Sequence, residues 1–439
     1  MELKLEKHPP GYVIGNFYKT IRKNELMKFD YKEKYLGLDK TFFQTISSVD
    51  QAYIEKLAFQ FQFSFQEFHK CNLVAKEIEQ WGQGPFEKLI KKAPGSKADF
   101  FMEIEKNFTL LKNNKSYANF SGTGQNIATP IVTTLVSNPD AKILGTCPVA
   151  SEKTLCCNLQ TLDAVRSCGL DCSYCSIQSF FTDNEVLIDT DFGKKLLSMP
   201  LDPDKLHHIG TGQSSDSLMW GNKEGILDDL FMFAEKNSNV ILELKTKSPN
   251  VDYLVKTDYP RNVLATWSLN TPTIIENEEH RTASLDLRLA AARKVADKNR
   301  LVGFHFHPMI HYDDFKLDYK AVVDQLLATF KPEEVALVSI GTITFTKKVI
   351  QKIRSRDIQS KILQMPFEEI AGKFSYPDSI KEEMFTYLYE CLKPWHGKVF
   401  FYLCMEPTHL WPKVFGYQYK DNLEFEQAMK KSYYDKIKS

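Results

Sequence analysis

The chain has 439 residues, 43% of them hydrophobic and 13% aromatic, which is too apolar for a disordered chain and ample for a large core or two to three domain-sized units. Its 56 Lys+Arg balance 56 Asp+Glu, so a surface basic throughout, of the kind that coats nucleic-acid phosphates, is excluded and only a local patch is left open. No apolar run of about 18 residues is present to span a membrane. The mixed charges from Met1 to Lys7 carry no apolar signal core, so a cytoplasmic protein is expected.

In chain order, Ile54, Leu57, Phe61, Phe65 and Phe68 recur at helical spacing. Phe59-Gln60-Phe61-Gln62-Phe63-Ser64-Phe65 also alternates as a strand would; the long surrounding window, rich in Glu, Lys and Ala, favours helix. Turn-rich stretches follow at Ala93-Pro94-Gly95-Ser96, Lys112-Asn113-Asn114-Lys115 and Ser121-Gly122-Thr123-Gly124. From about residue 155, short β-rich runs alternate with amphipathic helical patterns, the texture of a parallel sheet. Strands are expected over 156–165, 206–211, 239–246, 262–268, 300–306, 334–340 and 398–404. One helix runs from Gly225 to Glu235 with Ile226, Leu227, Leu230 and Phe231 on a face. Another follows Ser284, a good N-cap, and carries Leu285, Leu289, Ala292, Val295 and Ala296. Such a run of βα units implies a partial or complete barrel, whose chemistry sits at the C-terminal ends of the strands.

Nine cysteines in a reducing compartment point to ligation or catalysis rather than to structural disulfides. Cys71 and Cys391 lie in helix-like stretches and read as buried thiols; Cys147 carries no signal. Cys156 and Cys157 are adjacent in a strand-like run, which turns their side chains to opposite faces and argues against a shared metal. The sharpest feature is Arg166-Ser167-Cys168-Gly169-Leu170-Asp171-Cys172-Ser173-Tyr174-Cys175-Ser176-Ile177-Gln178, in the loop that leaves the first barrel strand. Three thiolates so spaced can converge on one metal centre. A structural zinc site needs a fourth ligand, usually from a second CxxC or CxxH pair, and none occurs. Iron–sulfur cubes usually take four cysteines, so three leave one iron open.

CxxxCxxC with an aromatic before the last cysteine, here Tyr174, resembles the signature of the radical SAM superfamily. That resemblance implies a [4Fe-4S] cluster on Cys168, Cys172 and Cys175, S-adenosyl-L-methionine on the open iron, and a 5′-deoxyadenosyl radical. The likeness extends to the spore photoproduct lyase family through Cys172 to Gln178, Leu244-Lys245-Thr246-Lys247, Ser268-Leu269-Asn270 and the helix from Asp286 to Ala296. Gly303-Phe304 leading to Pro308, Phe345-Thr346-Lys347 and, weakly, Tyr402-Leu403-Cys404-Met405-Glu406 belong with it. The implied fold class is α/β: a partial (β/α)6-type radical SAM barrel over 151–410, with an additional mainly helical N-terminal domain over 1–150 and a C-terminal tail over 411–439.

The same resemblance implies that Ser215, Asp216, Lys247 and Ser268 touch S-adenosyl-L-methionine, that a flavodoxin- or ferredoxin-like protein donates the electron, and that a damaged DNA pyrimidine pair is the substrate of a carbon–carbon lyase. A lysine paired with the methionyl carboxylate suits a charge-assisted hydrogen bond. Two positions depart from the family: Gln213 stands where the lyases carry the hydrogen-donating cysteine, and Ser176 where they carry a relay tyrosine. A substrate other than a DNA lesion, such as RNA, a nucleotide or a peptide, is the alternative. Tyr174 and Cys404, the latter near the end of a late strand, are the expected catalytic residues, Cys404 as a replacement hydrogen donor.

His305 and His307 share one face of a strand, which admits a rival zinc-hydrolase reading; otherwise both line the barrel mouth, with His307 near the cofactor or substrate. A non-catalytic module that keeps a cluster as a redox or structural element is a third reading. Lys347-Lys348 with Lys352-Ile353-Arg354-Ser355-Arg356, and Lys91-Lys92, are either phosphate contacts or solvated helix faces.

Overall fold

A computed structural model describes residues 42–91, 95–124, 130–147, 154–180, 185–370 and 372–439. The stretch from Met1 to Lys7, and Lys92 with Ala93 and Pro94, lie outside the described residues. The chain divides into two compact units, one up to Ala75 and one from Lys76 onward.

In the first unit, a helix at Ser48–Phe61 is capped by Ser47, whose hydroxyl accepts from the Asp50 amide. The helical spacing is real, but it is interrupted. Gln62 takes a left-handed conformation (φ 53) and ends this helix; the next runs from Phe65 to Gln80. Between them the Ser64 amide donates to Glu67 and the Glu67 amide to Ser64, a reciprocal cap that restarts the helix. The alternation from Phe59 to Phe65 is therefore two helix ends meeting, not a strand. Ile54, Leu57 and Phe68 are buried, with Phe68 packed on Phe43 at 5.2 Å.

In the second unit the strands begin with β1 (Val132–Val136), β2 (Leu144–Thr146), β3 (Gln160–Leu162), β4 (Val165–Arg166), β5 (Glu185–Asp189), β6 (His207–Thr211) and β7 (Val240–Thr246). They continue with β8 (Val263–Ser268), β9 (Val302–Met309), β10 (Val335–Thr342), β11 (Thr344–Thr346), β12 (Glu368–Ile370), β13 (Lys373–Ser375) and β14 (Phe400–Leu403). Among the described residues, one sheet has the order β14-β10-β9-β8-β7-β6-β3-β2, parallel throughout except for the β2–β3 pair. Thr154, just before β3, bridges Pro407, just after β14, so the two flanks of the sheet curl toward each other. The result is the α/β half-barrel expected from the sequence. Two small sheets, β1-β5-β4 and β11-β13-β12, flank it.

The barrel strands read as nearly continuous apolar runs because parallel strands are covered on both faces. Val240 to Leu244 and Val335 to Thr342 are buried at every position. The expected strand over 156–165 is the exception. Only Gln160–Leu162 joins the barrel sheet, while Val165–Arg166 pairs with β5 instead. Asn158 is left-handed (φ 52) and the Cys156 amide is held by Asn422, so the segment before β3 is not extended. With the strand alternation gone, the Cys156 and Cys157 thiols meet in a hydrogen bond rather than facing apart.

Outside the barrel, Ser284 caps the Leu285–Ala296 helix by accepting from the Leu287 amide, and Leu289, Ala292 and Val295 are buried on the side toward β8 and β9. Ser284→Ala is expected to cost about 1 kcal/mol of stability, read as a lowered urea midpoint; an unmoved midpoint would show the cap idle. The residues after 410, expected as a tail, form helices at Trp411–Phe415 and Asn422–Lys438. The second packs against β7, β10 and β14. Its Tyr433 ring meets the His208 imidazole edge-on at 5.4 Å, and Lys436 donates to the Pro332 and Val335 carbonyls where β10 begins. This helix thus covers the N-terminal end of the half-barrel. No helix among the described residues is long and apolar enough to cross a membrane.

Candidate active site

The loop that follows β4 carries Cys168, Cys172 and Cys175 at the C-terminal side of the half-barrel, where β7 and β8 end. Backbone contacts fix it. The Ser173 amide donates to Glu278 O (2.8 Å), the His280 amide to Asp171 O (3.2 Å) and the Cys175 amide to Cys172 O (3.2 Å). Gly169 permits the loop's close approach: a Cβ there would stand 2.6 Å from Met219 Cε and 2.8 Å from Ile131 Cδ1. Buried Arg356 donates to the Asp171 carboxylate and, at 3.4 Å, to Cys172 O. That arginine belonged to a run left open between phosphate contacts and solvated faces; it is instead a loop anchor. Gln80 in turn donates to the carbonyls of Ile353, Arg354 and Arg356, holding the segment behind it.

The three thiols lie within electrostatic reach of one another. Burial pushes Cys168 well above the usual thiol range, and the prospective charges of Cys175 and Cys172 push the same way. Burial raises Cys172 to about 12, against the pull of Lys247. Such thiols ionise together only when a cation joins them. N–H donors already point at two of the sulfurs: the Leu170 amide at Cys168 Sγ (3.4 Å) and Lys247 Nζ at Cys172 Sγ (3.5 Å). Among the described residues no group of three His, Cys, Asp or Glu is placed to hold a single metal ion. A cuboidal cluster is gripped at separate corners by cysteine thiolates, and an all-sulfur trio on one loop fits that donor set.

Beside the loop lies a buried charged set that the sequence reading did not assemble. Lys247 Nζ donates to Tyr174 Oη (2.7 Å), lies over the Tyr174 ring at 4.8 Å and pairs with Glu279 Oε1 at 3.4 Å. Tyr174 Oη donates to the same Glu279 oxygen. Arg288 Nη2 binds the other, Oε2, at 2.5 Å, while its Nη1 and Nε donate to Ser268 O and Ala283 O, both at 2.9 Å. Burial opposes charge on Glu279, but Arg288 and Lys247 hold its carboxyl down to about 2. Burial and the Glu279 charge push the Tyr174 phenol well above its usual range, keeping it a neutral donor.

Along β7, Glu243 and Lys245 share the face that Lys247 continues past the strand end. Glu243 accepts from His208 Nε2 (2.8 Å), His305 Nε2 (2.7 Å) and Thr266 Oγ1 (2.8 Å), and His305 Nδ1 meets Ser339 Oγ at 2.6 Å. Burial would raise the Glu243 carboxyl, yet the two imidazole hydrogen bonds hold it well below the usual carboxylate range. His305 is therefore a strut across the barrel interior rather than a mouth residue, and it is not free to ligate zinc. His307, two residues on, is lowered to about 3 by burial and by the charges of Lys245, His305 and Lys247, so its imidazole is neutral. Cys404 follows β14, its amide bonded to Ile340 O at 2.7 Å. Burial raises its thiol to about 12 despite Lys245 nearby, and Cys147 and Cys156 lie within electrostatic reach.

The turn after β6 carries Gly212 (φ 85), where a Cβ would stand 2.5 Å from Lys245 O. Gln213 lies in this turn. Ser215 Oγ accepts from Trp220 Nε1 at 3.3 Å. Asp216 is committed to the protein: Oδ1 accepts from the Leu218 and Met219 amides and from Thr246 Oγ1, and Oδ2 from the Lys247 amide. It fastens the turn to the end of β7. Ser268 is buried at the end of β8, in register with His305.

Comparison with known proteins places this architecture. A family model described as spore photoproduct lyase matches residues 203–391. The spore photoproduct lyase of Clostridium acetobutylicum is 24% identical over 164 residues, 37% of this chain and 47% of that protein. That of Geobacillus sp. is 28% identical over 123 residues, 28% of this chain and 36% of that protein. A solved spore photoproduct lyase complexed with dinucleoside spore photoproduct superposes with a TM-score of 0.51 at 17% identity, over 61% of this chain and 82% of that one.

Over residues 203–391 the chain is similar to the spore photoproduct lyase family, and it shares the fold of the solved lyase.

This chain spans less than half the length of the two curated spore photoproduct lyases it matches. The matched family region runs from the approach to β6 through the helix at Asp378–Cys391. It therefore includes Lys247, Glu279, Arg288 and His307, but neither the loop that carries Cys168, Cys172 and Cys175 nor Cys404.

Proposed function

We propose that this chain is a radical SAM enzyme in which Cys168, Cys172 and Cys175 hold a [4Fe-4S] cluster, with S-adenosyl-L-methionine bound beside it, and that it acts on a nucleotide-containing substrate. The observation that carries the reading is the gathering of three thiols, Cys172 buried and Cys168 and Cys175 half-buried, two of them already receiving N–H donors, on a loop pinned over the C-terminal side of a parallel half-barrel. When bound, the cofactor pair supplies reductive cleavage of a sulfonium C–S bond and a 5′-deoxyadenosyl radical. The protein's part is placement. Lys247, Tyr174, Glu279 and Arg288 tie the cluster loop to the strand ends, and Ser215, Ser268 and the neutral His307 border the space left for the cofactor. Asp216 acts through the turn it fastens. A flavodoxin- or ferredoxin-like protein is the electron source in this reading.

A pyrimidine lesion in DNA is the substrate suggested by the solved relative, which holds a dinucleoside spore photoproduct. A second reading, a non-lesion substrate, is favoured by Gln213 in the turn after β6, because an amide does not give up a hydrogen atom as a thiol does. Cys404 answers that objection in part: its half-buried thiol is pushed up to about 12 and so stays protonated, with Lys245 close by.

The test is anaerobic incubation of reconstituted protein with dithionite, S-adenosyl-L-methionine and UV-irradiated DNA, following 5′-deoxyadenosine and thymine recovery together. Coupled appearance of both supports lesion repair, and 5′-deoxyadenosine release alone supports the other substrate. Cys404→Ala should leave 5′-deoxyadenosine formation intact and lower repaired product by about tenfold or more; an unchanged yield removes Cys404 from the chemistry.

A further inference from the structure

We propose that Cys156 and Cys157 are a redox modification site: a low-molecular-weight disulfide closes them reversibly into a vicinal disulfide, and the closure unseats the C-terminal helix. The site is separate from the cluster loop and does not depend on the radical SAM reading.

Three of the nine cysteines stand on the cluster loop, and Cys71 and Cys391 lie in helices. The other four gather where the two flanks of the sheet meet. Cys147 follows β2 and its amide donates to Leu159 O (3.1 Å), Cys156 and Cys157 precede β3, and Cys404 follows β14. Cys404 lies within electrostatic reach of the other three. A single metal ion is not the fitting occupant, since no group of three among the described residues is placed to hold one. One pair within the four is singled out by contact: the Cys157 thiol donates a hydrogen bond to Cys156 Sγ. That bond holds Cys156 down to about 6 and lifts Cys157 well above the usual thiol range. Cys156 therefore carries the thiolate and Cys157 keeps the proton, a reactive arrangement. Cys157 is half-buried, which opens the pair to a small reagent on that side.

The exchange balances without any further reactant. The Cys156 thiolate attacks one sulfur of the small disulfide, whose S–S bond breaks and whose other half leaves as a thiolate. Cys157 passes its proton to that thiolate, and its sulfur attacks Cys156 Sγ and expels the second half. Two electrons have moved from the pair to the reagent, which ends as two thiols, one of them ionised.

The backbone ties this chemistry to the fold. Cys156-Cys157-Asn158 is the seat of the helix Asn422–Lys438: Asn422 Oδ1 accepts from the Cys156 amide (2.9 Å), and Asn158, left-handed at φ 52, donates through Nδ2 to Glu426 Oε2 (2.8 Å). These two anchors flank the Cys156–Cys157 peptide. Adjacent Cα atoms stand about 3.8 Å apart across a trans peptide, closer than the about 4.4 Å at which bridged cysteines usually begin. Closing the ring therefore turns that peptide and displaces both anchors. A bond so strained is readily reduced, which suits a switch and not a permanent staple.

The experiment incubates cluster-reconstituted protein anaerobically with oxidised glutathione, quenches with acid, alkylates the free thiols and maps the peptides by mass. The parent should yield one new disulfide, Cys156 to Cys157, that excess reduced glutathione removes. Hydrogen exchange over 422–438 should quicken about tenfold in the oxidised form, the loss of one or two hydrogen bonds, and return on reduction. Cys157→Ser should arrest the reaction at a glutathione adduct on Cys156, since serine keeps a hydroxyl donor but cannot resolve the adduct. Cys156→Ser should react about tenfold more slowly or worse, because the thiol that remains is protonated. Thermal melting establishes that both variants fold, and if either does not, the map of the parent decides. An unreacted pair, a bond from Cys157 to Cys404 or Cys147, a disulfide that resists excess reduced glutathione, or helix exchange indifferent to oxidation overturns the proposal. Failure of the parent to take up iron would overturn the radical SAM reading alone, because the same map can be read on the unreconstituted chain.

Discussion

Alanine at Cys168, Cys172 or Cys175 should give protein that emerges from anaerobic reconstitution nearly colourless, with a small fraction of the about four irons per chain that a cubane supplies. The parent should be brown and absorb near ~400 nm. The effect should be close to complete for each single substitution, because a cube already held by only three side chains has none to spare. The loop itself should survive: Ser173, Asp171 and Cys172 are held through backbone atoms and through Arg356, which alanine at the cysteines leaves in place. Each variant should therefore melt as cooperatively as unreconstituted parent. Iron content equal to the parent's in all three variants would sink the cluster assignment. Loss of folding in all three would show that the thiols are packing groups first.

Arg288→Met should be the most destabilising single change near the site. The guanidinium makes contact with Glu279, Ser268 O and Ala283 O at once, and it is fully buried. Methionine fills a similar volume but leaves the Glu279 carboxylate with only Lys247 and Tyr174, and leaves two carbonyls unsatisfied. Breaking a buried pair from one side costs about 3–5 kcal/mol. The double variant Arg288→Met with Glu279→Gln should regain part of that loss, since the unpaired charge is then gone. Lysine at 288 should not substitute well, because one ammonium cannot span three acceptors in a plane. Urea unfolding of the four proteins separates these outcomes; a loss under 1 kcal/mol for Arg288→Met would mean that water enters the pocket and does the arginine's work.

Much of this was readable in the chain because the physics is local. Parallel strands buried on both sides must be apolar along their length, so β7 and β10 stand out. Ser284 before an apolar helical period announces its cap. The spacing of Cys168, Cys172 and Cys175 is itself a geometric statement. What the sequence did not yield was pairing at a distance. Glu279 sits beside Glu278 at a helix end, where two acidic residues look like a solvated terminus. Only the fold brings Arg288, Lys247 and Tyr174 around it. Lys247 was expected at the methionyl carboxylate through resemblance, and its hydrogen bonds to Cys172 and Tyr174 are further contacts that resemblance did not supply. The strand expected over 156–165 failed because apolar content does not reveal a left-handed Asn158, and with it went the expectation that Cys156 and Cys157 face apart. His305 was misjudged for a related reason: facing inward fixes direction but not depth, and Glu243 is what fixes the depth.

The helix from Asn422 to Lys438 turns the half-barrel into a blind cup. With the Tyr433 ring edge-on to His208 and Lys436 clasping the first residues of β10, the floor is plugged by protein. What that helix leaves uncovered is the opposite rim, at the C-terminal strand ends where Cys172 and Lys247 stand.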